Sequence, residues 1–171
     1  MADALALEVV TPEQTLLAGA AHAVVLRTSE GSLTVLPGHA SFVGDVVAGE
    51  VKVEQPDGNV VRLAVHGGFV QVDTRAGAAD GVDDVGDGPI AGLSTRVTLL
   101  AGVAELVDDI DVARAEAARA EAQTRLDQVR SSGTRDDAGA AADVEIAQLE
   151  RAVARADVRL RLAGGGSSAT S

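Results

Sequence analysis

Residues 97–126 read "VTLLAGVAELVDDIDVARAEAARAEAQTRL", and the spacing of their apolar side chains changes partway along. Up to Val107 the apolar residues belong to short strand-like runs. Beyond Asp108 they recur at steps of three and four, the repeat of a helix. Val112, Ala115, Ala122, Leu126 and Val129 fall on one helical face, with Glu121 and Arg125 predicted to pair on the outside at i, i+4. The chain therefore reads as two parts that meet near residue 107.

Working backward, the first part is a series of Val- and Leu-rich runs cut by turns: "LALEVV" (5–10), "AVVLRT" (23–28), "SLTVL" (32–36), "GEVKVEQ" (49–55), "NVVRLAVHG" (59–67), "GFVQVDT" (68–74) and "RVTLLAGVAELV" (96–107). "SEGS" and "PDGN" supply turns, and Asp57-Gly58 between alternating runs is a hairpin signal because glycine tolerates a positive φ. Many short strands at this spacing favour an antiparallel sandwich or barrel. Residues 75–96 have no apolar period and are expected to form a flexible acidic loop. Its aspartates (Asp80, Asp83, Asp84, Asp87) lack the order of a calcium loop that ends in a bidentate glutamate.

Working forward, "SSGTRDDAGAAAD" (131–143) interrupts the helical period, and a second helix is predicted from about Val144, with Ile146, Leu149, Val153, Ala156 and Leu160 on its apolar stripe. Two short helices with narrow stripes are marginal alone and should pair as an antiparallel hairpin. The division expected is 1–107 for the β domain, 108–163 for the helical hairpin and 164–171 for a disordered tail.

Composition narrows the function. The 14 basic and 26 acidic residues give a formal charge of −12, which repels phosphate backbones and anionic lipid, so nucleic acid is not an expected partner. Cysteine is absent, which removes disulfides, zinc thiolates and thiol nucleophiles. No run reaches the ~20 apolar residues of a spanning helix, so no direct membrane insertion is expected. Tryptophan and tyrosine are absent and Phe42 and Phe69 are the only aromatics, leaving little for stacking bases or sugars. His22, His39 and His66 have no carboxylate at metal-motif distance, no serine sits in a G-x-S-x-G context, and neither a dinucleotide glycine motif nor a P-loop lysine is present. No catalytic residue and no metal site is expected.

Three features remain. In "LPGHASF" (36–42), Pro37 and Gly38 set a bend that presents His39, either as a structural corner or as a partner contact. Arg151, Arg155 and Arg159 recur every fourth residue and form either a solvated face or an anion-binding stripe. At "IDVARA" (110–115), Asp109 or Asp111 can cap the first helix, and Arg114 can pair with Asp111 at the surface, an account that needs no ligand.

Taken in order, "VVTPEQTLLAG", "SEGSLTVLPGHASFVGDVVAGEVKV", "HGGFVQV" and "VTLLAGVAELVDDIDVARA" resemble the epsilon subunit family of the F-type ATP synthase, over most of residues 5–130. The resemblance implies a fold of class β + α: an N-terminal antiparallel β-sandwich followed by a C-terminal antiparallel two-helix hairpin. It implies a non-catalytic central-stalk subunit that couples the c-ring to the catalytic head. Its partners would be the gamma subunit, the c-ring, and the alpha and beta subunits when the hairpin extends to inhibit ATP hydrolysis. Its place would be peripheral, on the cytoplasmic side of the cell membrane. No cofactor is required by the family, but some members bind a regulatory ATP against the folded-down hairpin. By that likeness Glu105, Ile110, Asp111, Arg114, Ala115, Arg155 and Arg159 would surround the nucleotide, while Pro37, Gly38, His39 and Arg151 would contact partners. The loop 75–96 and the connection 130–143 are longer than is usual in the family. The rival reading is a free-standing cytosolic binding module whose hairpin dimerises it.

Overall fold

The computed structural model describes residues 4–74, 94–131 and 139–164, with side chains of 139–141 excepted. The acidic segment 75–93, the connection 132–138 and the tail 165–171, each the subject of a sequence expectation, lie outside the described residues. The chain divides into two compact units, Met1–Leu106 and Val107–Ser171.

Among the described residues, the first unit holds ten strands: β1 (Leu5–Val10), β2 (Thr15–Ala21), β3 (Ala23–Thr28), β4 (Gly31–Val35), β5 (Phe42–Val46), β6 (Gly49–Glu54), β7 (Val60–Val65), β8 (Gly68–Thr74), β9 (Thr95–Ala101) and β10 (Ala104–Leu106). They form two five-stranded sheets, ordered β2-β1-β9-β8-β5 and β10-β7-β6-β3-β4. Alternation puts every second side chain between the sheets, so Leu7, Val9, Val70, Val72, Val97 and Leu99 of one sheet share a core with Val24, Leu26, Val51, Val53, Leu63 and Val65 of the other. The sandwich is not purely antiparallel, because β1 runs parallel to β9 while pairing antiparallel with β2.

Two runs absent from the sequence reading, "TLLAGAA" and "FVGDV", are strands β2 and β5. Their small residues hide the alternation. In β5 the ring of Phe42 lies over Gly44, where an added Cβ would come within 2.4 Å of it. The run 96–107 is two strands in different sheets, since Gly102 and Val103 break it. Gly68 lets β8 approach β9 closely: a Cβ there would fall 2.1 Å from the carbonyl oxygen of Leu100.

The second unit opens with a 3₁₀ turn, Val107–Asp109, which packs against the second of two helices, α1 (Val112–Ser131) and α2 (Gly139–Gly164). The helices run antiparallel, since Arg119 of α1 pairs with Asp157 of α2 while Arg130, further along α1, pairs with the earlier Glu150. Their seam is built from Ala115, Ala122 and Leu126 of α1 and Ala156 of α2. Several expectations need correction. Arg125 reaches across to Glu145 at 2.9 Å instead of pairing with Glu121 in its own helix, because a partner on the neighbouring helix flanks the seam. Val112, at 44% exposure, is outside the apolar face. The second helix begins at Gly139, five residues before Val144, because the alanine run outweighs the glycine. Val158 and Leu162, which are not part of the expected stripe, are buried, whereas Ile146, Leu149, Val153 and Leu160 are half-buried.

Candidate functional site

The four motif residues of "IDVARA" have separate jobs. The backbone N–H of Ile110 donates to the carbonyl of Val107 and closes the 3₁₀ turn, and its side chain is buried. Asp111 is the N-cap of α1: its Oδ1 accepts the N–H of Arg114 at 2.9 Å, and its carbonyl accepts the N–H of Ala115 at 2.9 Å. Ala115 is buried in the seam. The expected side-chain pair between Asp111 and Arg114 is thus replaced by a bond to the Arg114 backbone, which leaves that guanidinium exposed. Three residues of the motif are accounted for by folding, and Arg114 is not.

On α2, Arg151 is exposed while Arg155 and Arg159 are half-buried. Among the described residues, no ion pair reaches the side chains of Arg114, Arg151 or Arg155. Helical geometry fixes their sides of the hairpin. Arg114 precedes Arg125 by about three turns and so shares its flank; Arg159 follows Glu145 by just under four turns and shares the flank of that residue. Because Arg125 and Glu145 are bonded, Arg114 and Arg159 lie along the same edge of the hairpin. Arg155 is turned further from α1, and Arg151 further still. Glu105 belongs to the first unit, on β10, where its Oε1 lies 3.4 Å from Nε2 of the buried His66.

The bend at 36–41 is more tightly built than its sequence suggests. Gly38 has φ +82, a conformation glycine takes without strain, and the N–H of His39 donates to the carbonyl of Leu36. His39 is half-buried, with Nδ1 2.8 Å from the carbonyl oxygen of Ala40. Gly38 and His39 are both tied to Thr74 and Thr95, a cross-strand pair on β8 and β9. Pro37 is half-buried and Leu36, beside it, is 52% exposed.

A second surface was missed by the sequence reading. On the outer face of the first sheet Phe69 pairs with Leu100, and both are largely exposed; Val43 on β5 is 71% exposed. The signal was present: in "GFV" and "TLL" adjacent residues are both apolar, so one of each must point outward whichever parity faces the core. Phe69 and Leu100 thus form an exposed apolar cross-strand pair on this face.

Residues 4–76 match the family model for the beta-sandwich domain of the ATP synthase delta/epsilon chain, and residues 108–164 match that for its long alpha-helix domain. The ATP synthase epsilon chain of Streptomyces coelicolor is 35% identical over 165 residues, covering 96% of this chain and 99% of that one. The chain belongs to the epsilon chain family of ATP synthase. Another epsilon chain, from Symbiobacterium thermophilum, is 37% identical over 96% of this chain and 95% of its own length. A chain in the mitochondrial ATP synthase of Euglena gracilis superposes with a TM-score of 0.60 at 21% identity, covering 89% of this chain and 76% of that chain, which supports the fold. The two family models fall one on each compact unit, and the epsilon relatives span both. A free-standing binding module with a dimerising hairpin is not favoured.

Proposed function

We propose that this chain is a non-catalytic central-stalk subunit of the proton-translocating ATP synthase, held peripherally on the cytoplasmic side of the cell membrane by its partners. The sandwich docks on the gamma subunit beside the c-ring and transmits rotation. The hairpin regulates ATP hydrolysis by extending toward the alpha and beta subunits. The observation that carries this reading is the near full-length identity to epsilon chains across both units. Among the described residues, no helix is long and apolar enough to cross a membrane.

Regulation by ATP is the finer part of the proposal. Arg114 and Arg159 share one edge of the hairpin, with Arg155 further round α2, and guanidinium groups suit phosphates. Asp111 is already occupied as a cap, so its part in binding is to fix the first turn that carries Arg114. Titration calorimetry of the full chain with ATP tests this. Replacing Arg114 or Arg155 by alanine should weaken binding by about 1.5–3 kcal/mol for each charge-assisted hydrogen bond to the nucleotide that is removed, with little effect on folding. Absence of ATP heat in the unaltered chain, or equal affinity in both variants, removes the nucleotide from the proposal and leaves the coupling role standing. Failure of the full chain to form a complex with the gamma subunit removes the coupling role.

A further inference from the structure

The N–H of Gly38 donates to Thr95 Oγ1 at 2.8 Å, Thr95 Oγ1 lies 3.1 Å from Thr74 Oγ1, and Thr74 Oγ1 lies 2.6 Å from the carbonyl oxygen of His39. The direction of each bond is forced. An amide N–H only donates and a carbonyl only accepts, while each hydroxyl has one proton to give. Thr74 spends its proton on the His39 carbonyl, so the proton between the two threonines must come from Thr95. The result is a one-way relay from the Gly38 amide through two hydroxyls to the His39 carbonyl, in which each bond polarises the next. Thr95 is fully buried, and the N–H of Thr74 also donates to Ser41 Oγ at 3.1 Å. Three of the six residues from Leu36 to Ser41 are thereby bolted to one cross-strand pair.

We infer that Thr74 and Thr95 are positioning residues that lock the Leu36–Ser41 corner, through this hydroxyl relay, in the conformation that meets the gamma subunit. Neither threonine needs to touch the partner. Their effect is to remove the corner's freedom beforehand, so that exposed Leu36 and half-buried Pro37 and His39 are presented without an ordering cost at binding. The inference rests on the reading of this corner as a partner contact.

The test uses the full chain and purified gamma subunit, with amide hydrogen exchange read at Gly38 and Ser41. Thr95→Val keeps the shape and removes the hydroxyl; it should speed Gly38 exchange by about tenfold, the equivalent of one hydrogen bond, and weaken gamma binding by a similar factor. Thr95→Ser, which keeps the oxygen, should restore both. Thr74→Val breaks the relay from its half-exposed end and repeats the measurement should Thr95→Val fail to fold. Unchanged Gly38 exchange in the valine variants overturns the relay. Faster exchange with undiminished affinity overturns its positioning role. Leu36→Ala and His39→Ala test the interface separately: if both bind gamma as the unaltered chain does, the corner does not meet the partner, and the proposal falls with that reading.

Discussion

The sandwich and the hairpin stand at opposite ends of what packing supplies. In the first unit, seventeen of the described side chains, from two sheets, close a single core in which leucines and valines dominate, so its stability is spread over many mutual contacts. In the hairpin, α1 buries only Ala115, Ala122 and Leu126, and ion pairs between partly exposed side chains flank the seam. Alanine brings little apolar area, and exposed pairs are each worth about 0–1 kcal/mol. One region is held by a broad two-sheet core, the other by a narrower seam flanked by exposed ion pairs.

The largest effect should come from the sandwich. Leu99 is fully buried at the middle of β9, and Leu99→Ala should cost about 3–5 kcal/mol, since neighbours on both sheets prevent the cavity from collapsing. Leu126→Ala in the hairpin should cost about 2 kcal/mol, because a two-layer seam can close over the gap. Urea unfolding followed by far-ultraviolet circular dichroism reads both, a suitable probe in a chain without tryptophan or tyrosine. Equal costs would erase the contrast between the two regions.

Asp111→Ala comes next. It removes the cap of α1, leaves the Arg114 amide to water, and should cost about 1 kcal/mol, confined to the helical signal. Loss of sandwich signal in that variant would mean that the two units unfold together. The smallest effect should be that of salt. Raising sodium chloride to about 1 M shortens the screening length to about 3 Å and should lower the hairpin midpoint slightly while leaving the sandwich midpoint in place. A hairpin indifferent to salt would show that Arg119–Asp157, Arg125–Glu145 and Arg130–Glu150 contribute nothing to its closure.

Legibility followed the same divide. Strands with strict alternation, such as Leu5–Val10 and Gly49–Glu54, were readable because alternate positions must face the core. Strands β2 and β5 were not, since glycine and alanine give no period. On α1 the apolar face was largely correct, but the charged partners were assigned within the helix. Local spacing offers Glu121 to Arg125, and only the second helix offers Glu145. In the candidate nucleotide motif, an aspartate cap near the helix start and the burial of Ala115 were legible, while the choice of Asp111 over Asp109 and the burial of Ile110 were not.

The sequence by itself determined the change from strand to helix period near residue 107, the turn at Asp57-Gly58 and the family, because each depends on residues near in the chain or on motif order. Pairings between distant residues were decided only by the tertiary structure: the parallel pairing of β1 with β9, the reach of Arg125 to Glu145, the outward row of Phe69 and Leu100, and the hold of Thr74 and Thr95 on the 36–41 corner. Periodicity records which side of an element faces the core. It carries no record of which distant strand or helix supplies the partner, because many pairings bury the same apolar face, and side-chain packing and connection geometry choose among them.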